Sequence, residues 1–143
     1  MSAMHKSTAQ ILEKLNITEL NEMQLQAQTA FEKPNDIVLL SPTGSGKTLA
    51  FLLPLVASLD PKIEEIQAII IAPTRELAIQ IEQVARSMGS GYKTNVVYGG
   101  RSGSQDRRDI ATRPAILVGT PGRIADHLER EAFDTKHVKT LVL

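Results

Sequence analysis

The stretch "SPTGSGKT", Ser41 to Thr48, carries the residue types needed to hold a chain of phosphates. Gly44 and Gly46 allow a tight backbone turn that approaches an anion with no side chain in the way. The loop amides and the N-terminus of a following helix then favour negative charge. Lys47 supplies a mobile cation for the outer phosphates, and Thr48 a hydroxyl for magnesium. The usual pattern, G-x-x-x-x-G-K-[ST], has glycine where this chain has Ser41. That substitution removes none of the phosphate-facing groups, so a nucleotide site is expected, the alternative being a glycine-rich turn that binds nothing.

Three further stretches have related chemistry: Pro73–Arg75, Gly99–Arg101 and Thr120–Arg123. Thr74 and Thr120 stand where a hydroxyl would cap a helix, and Pro121 suits a first helical position. Each is closely followed by an arginine, Arg75 or Arg123. Taken singly, these are ordinary caps with surface arginines, and Gly99-Gly100 is an ordinary turn. Taken together, they set amides, hydroxyls and guanidiniums beside a nucleotide, where an extended polyanion could be held by its phosphates and sugars. Between Arg101 and Arg123 the arginines 101, 107, 108, 113 and 123 face Asp106 and Asp109, which alone reads as a solvated polar face. His5, His127 and His137 are scattered, without metal-ligand spacing or a paired nucleophile. Asp126 and Glu129 read as solvated surface charges.

Five short apolar runs would position these loops: "IVLL" (37–40), "AIII" (68–71), "NVV" (95–97), "AILV" (115–118) and "TLVL" (140–143). Most are apolar at every position, which suits strands buried on both faces of a parallel sheet. Between them, "RELAIQIEQVARSM" carries an apolar stripe of Leu77, Ala78, Ile81, Val84, Ala85 and Met88 at helical spacing. "GKTLAFLLPLVASL" is apolar nearly all round, as a core helix would be, with Pro54 expected to kink it. "STAQILEKL" and "NEMQLQAQTAF" read as two short helices before the first strand. The alternation predicts an α/β domain with a mainly parallel central sheet and helices on both faces. In such sheets ligands bind outside the carboxyl ends of the strands, so all four junctions should share one rim.

A chain of 143 residues with 42% hydrophobic composition is one domain's worth of sequence. It shows no repeat and no run long enough to span a bilayer. The absence of cysteine excludes disulfides, thiolate metal sites and a cysteine nucleophile. With no secretory profile at the N-terminus, a cytoplasmic setting is expected. Sixteen basic residues balance sixteen acidic ones, so overall charge does not announce a nucleic-acid partner. Aromatics, at 3%, are too scarce to form a stacking platform, so any nucleic acid would be held mainly by its backbone, with little sequence reading.

With these motifs in this order, the chain resembles the DEAD-box family of ATP-dependent RNA helicases in superfamily 2. That family has a small residue at the first phosphate-loop position, followed by "TGSGKT" or a close variant. "PTRELA" at 73–78 matches its motif Ia, Gly99-Gly100 its GG motif and "TPGR" at 120–123 its next RNA-contacting motif. The resemblance implies a RecA-like P-loop fold, with residues 1–143 as the first of two RecA-like domains. It implies ATP and Mg2+ bound through Thr43, Gly44, Ser45, Gly46, Lys47 and Thr48, with Lys47 and Thr48 serving catalysis and Thr48 the metal. It implies RNA backbone contacts from Pro73, Thr74, Arg75, Gly99, Gly100, Thr120, Gly122 and Arg123. ATP and RNA would bind between the two RecA-like domains, closure bending the RNA and product release reopening the cleft.

The family's Q motif falls in 7–31, with Gln24 placed to read adenine. Here Leu20-Asn21 stands where the family has Pro-Thr or Pro-Ser, and no phenylalanine, tyrosine or tryptophan precedes Gln24. Asn21 and Gln24 also fit a capping box, and the two roles can coexist. In the family "TLVL" leads into Asp-Glu-Ala-Asp, so the chain reads as a fragment that would not hydrolyse ATP alone. Two rivals stay open: a non-hydrolysing nucleotide- and RNA-binding module, and a DNA or Ski2-like helicase of the same superfamily.

Overall fold

The computed structural model describes residues 5–42, 46–100 and 103–143. The chain begins with two short helices, α1 (Thr8–Lys14) and α2 (Glu22–Phe31). Both start in capping boxes, Ser7 with Gln10 and Asn21 with Gln24, in which side chain and backbone satisfy each other's otherwise unpaired groups. Helix α3 (Lys47–Ala57) buries Ala50 and everything from Leu52 to Val56. Its assignment continues through Pro54, which has no N–H to donate to the preceding turn.

From there strands and helices alternate: β1 (Ala68–Ile71), α4 (Arg75–Ser87), β2 (Thr94–Val97), α5 (Gly103–Ala111), β3 (Ile116–Gly119), α6 (Pro121–Glu129) and β4 (Thr140–Val142). The four strands form one sheet in the order β2-β3-β1-β4, and every pairing is parallel. Successive side chains on a strand point to opposite faces, and the core divides accordingly. Ala68, Ile70, Ile116 and Val118 join Ile11 of α1, the apolar face of α3 and Ala78, Ile81 and Ala85 of α4. Ile69, Leu117 and Val97 turn the other way, towards Ile110 of α5 and Ile124 of α6. Helices thus cover both faces, as the unbroken apolar runs require.

One expected strand is not formed. Ile37–Leu40 has the composition of a buried strand, but it takes no regular structure and joins no ladder. Val38 is 83% and Leu40 86% exposed. A strand gains its stability from a neighbour's hydrogen bonds and cross-strand contacts, and in this fold no described strand pairs with that run. Among the described residues no helix is long and apolar enough to cross a membrane.

Candidate functional site

Gly46 is the N-cap of α3 and holds a left-handed backbone, φ +81°. That conformation strains any residue with a Cβ. A Cβ there would also lie 2.6 Å from Nε2 of Gln24, which would have to move. Lys47 and Thr48 follow in the first turn, Lys47 exposed and Thr48 half-buried. Their placement at the amide-rich end of an apolar helix suits an anion. Thr43, Gly44 and Ser45 lie outside the described residues.

Gln24 is buried in α2, 7% exposed. Its Oε1 accepts from the Asn21 amide at 3.0 Å, and its Nε2 donates to the Gly46 carbonyl at 3.3 Å. The amide therefore caps its own helix and ties α2 to the base of the phosphate loop. A glutamine amide has two donors and two acceptor lone pairs. One of each is used here.

Parallel register aligns the other three junctions. Ile71 pairs with Gly119, and Gly119 with Val97, so β1, β3 and β2 end level with one another. Pro73–Arg75, Thr120–Arg123 and Gly99–Gly100 leave these ends side by side. Thr74 caps α4, its Oγ1 accepting from the Leu77 amide at 3.1 Å. Thr120 is the N-cap of α6 in backbone only. Its hydroxyl makes no capping bond, contrary to expectation, and Pro121 occupies the first turn. Proline brings no N–H, which leaves fewer amides for a side chain to satisfy there.

Arg75 and Arg123 differ in setting. Arg75 is half exposed, within 3.7 Å of the exposed Glu76, and its Nη1 lies 3.1 Å from where a Cβ on Gly100 would be. Gly100 itself has φ +90°, again a glycine conformation. Arg123 is largely buried, 19% exposed, and its Nε lies 3.4 Å from Oδ2 of Asp106 on α5. No described hydrogen bond or ion pair links Lys47 or Thr48 to these three junctions.

Sequence reasoning missed two residues. Asp106, read as part of a solvated face, is fully buried, and so is His127, read as isolated. His127 Nε2 sits 3.0 Å from the same Oδ2 that meets Arg123. Helix spacing could have hinted at this, because Arg123 and His127 are four apart and share a face of α6. Their meeting with α5 needed the tertiary fold.

The parallel sheet covered on both faces, with ligand-type loops at its carboxyl rim, defines an α/β domain of RecA-like build. The chain belongs to the DEAD/DEAH box helicase family, whose description matches residues 21–143. It is 38% identical over 139 residues to the ATP-dependent RNA helicase CshA of Limosilactobacillus reuteri, a match covering 96% of this chain and 28% of that protein. It is 46% identical over 110 residues to CshA of Listeria monocytogenes, covering 76% of this chain and 21% of that one. Among solved structures, it resembles the yeast DEAD-box splicing factor Prp28 with a TM-score of 0.79 and 29% identity, over 92% of this chain and 33% of that one. The chain therefore spans only between a fifth and a third of the length of these relatives.

Proposed function

We propose that this chain is the first RecA-like domain, residues 1–143, of an ATP-dependent RNA helicase or RNA-remodelling ATPase. The observation that carries the reading is the level ending of β1, β2 and β3, which sets three loops with backbone amides and two arginines along one rim. Such a rim suits a sugar–phosphate backbone. Pro73, Thr74, Arg75, Gly99, Gly100, Thr120, Gly122 and Arg123 are its RNA-facing residues on this reading. RNA would then be gripped without regard to its sequence.

ATP would be held by Thr43–Thr48, with Lys47 neutralising the outer phosphates and Gln24 reading adenine. The hydroxyl of Thr48, in the first turn of α3, has the right chemistry for Mg2+, which commonly takes few protein ligands beside nucleotide phosphates. That ion would offset phosphate charge. Lys47 would counter the charge that develops as the terminal phosphoryl group departs, a role in which positioning and electrostatics supply most of the catalysis. The 143 residues contain no Asp-Glu-Ala-Asp sequence. On this reading they bind nucleotide weakly alone and do not turn it over, and a second RecA-like domain supplies the rest of the cleft.

The test is phosphate release by the intact protein with single-stranded RNA or DNA of one sequence. RNA should stimulate hydrolysis and DNA should not, Lys47→Ala should abolish it, and Arg75→Ala should raise the RNA needed for half-stimulation. Equal stimulation by DNA, or hydrolysis indifferent to Lys47→Ala, would overturn the reading.

A further inference from the structure

Asp106 is an unusual residue to find with no exposure at all, since a buried carboxylate keeps its charge only if compensated. Two groups of α6 meet it. Arg123 approaches through Nε at 3.4 Å and His127 through Nε2 at 3.0 Å, both at Oδ2. The guanidinium is permanently charged, so the Asp106–Arg123 pair is neutral as a unit with the carboxylate ionised. An ionised carboxylate only accepts, so Nε2 of His127 must carry the proton and donate. The buried Nδ1 has no hydrogen-bond partner among the described residues, so Nε2 is the ring atom that ties His127 to its neighbours. His127 is thus a donor that fixes one side of the carboxylate.

The consequence falls on Arg123. A free arginine samples many rotamers, and immobilising it on binding costs affinity. Here the side chain is already packed and its Nε already engaged. Its Nη1 lies 3.8 Å from where a Cβ on Gly103 would be, so the group reaches across the first turn of α5. We propose that Asp106, steadied by His127, is the positioning residue that holds Arg123 ready for an RNA phosphate. The proposal rests on the reading of Arg123 as an RNA contact.

The experiment is a double-mutant cycle in the intact protein, reading the anisotropy of a short fluorescein-labelled oligouridylate. Fluorescent ADP binding reports the integrity of the fold at a different junction. Arg123→Ala should weaken RNA binding about tenfold and Asp106→Asn about fivefold, with ADP affinity kept. In the Arg123→Ala background, Asp106→Asn should add nothing, which a merely structural role would not produce. An equal further loss there, or normal RNA affinity in a folded Asp106→Asn protein, overturns the proposal. If Asp106→Asn does not fold, His127 decides. His127→Leu, which removes the donor, should weaken RNA binding about threefold, and His127→Gln, which keeps an N–H, should restore it. RNA affinity untouched by either His127 variant overturns the proposal. Unchanged affinity in Arg123→Ala removes the RNA reading of that residue and this proposal together, whereas loss there with Asp106→Asn silent removes the positioning role alone.

Discussion

Replacing Gly46 with alanine tests the coupling between the capping helix and the phosphate loop. Two costs follow from the geometry. The backbone at φ +81° is left-handed, and an L-residue pays roughly 1–2 kcal/mol to stay there. The new Cβ would sit 2.6 Å from Gln24 Nε2, too close for either atom, so the amide must withdraw and give up its bond to the Gly46 carbonyl. Losing that bond from a side chain 7% exposed costs about 1 kcal/mol. Alanine restricts the unfolded chain more than glycine does, which returns about 0.4–1 kcal/mol. A net loss of roughly 2 kcal/mol is expected, read as a lower urea midpoint with an unchanged slope. Gly122→Ala is the matched control. Gly122 lies in the first turn of α6 with nothing within 4 Å of a new Cβ and no positive φ, so alanine there should be neutral or stabilising by up to about 1 kcal/mol. Equal midpoints for the two variants would refute the argument, because they would mean that neither strain nor the Gln24 contact matters.

Two other expectations follow from local geometry. Thr74→Ala removes a capping acceptor and should cost about 1 kcal/mol, while Thr120→Ala removes none and should cost less than about 0.5 kcal/mol; equal shifts in thermal midpoint would contradict this. Tyr92 donates its hydroxyl to the Leu59 carbonyl, and burial, then the nearby Asp60 charge, raises its pKa above the usual 10.0. The folded state thus prefers the protonated phenol, so its contribution is complete below pH 10.0 and is lost as pH rises through the raised value. Tyr92→Phe should lower stability at neutral pH yet flatten the alkaline fall of the urea midpoint, and an unaltered fall would remove Tyr92 as its cause.

The sequence alone determined the features that depend on neighbours within a few residues. The stripe on α4 and the all-apolar surface of α3 are readable because helical spacing is a local property. So is the Asn21–Gln24 capping box, whose partners lie three residues apart. The apolar runs at 68–71, 95–97, 115–118 and 140–143 announced parallel strands, and the reason holds best for the central pair β1 and β3, since a strand covered on both faces has no polar side to show. The order of strands and helices placed four junctions on one rim; the register aligns those at Pro73, Gly99 and Thr120, whereas the run before Ser41 forms no strand to carry the fourth.

What the tertiary structure decided involves partners distant in sequence. Gln24 reaches Gly46 across 22 positions, and Asp106 reaches His127 across 21, so composition could present these residues only as a cap, a surface charge and a scattered histidine. The fate of Ile37–Leu40 belongs here too, because an apolar run becomes a strand only when a neighbouring strand pairs with it, and none of the described strands does. Asp106 can be buried because its carboxylate is met from another helix, by Arg123 and His127 of α6. Local pattern can specify an element, but the state of a charge inside the fold is set by what packs against it.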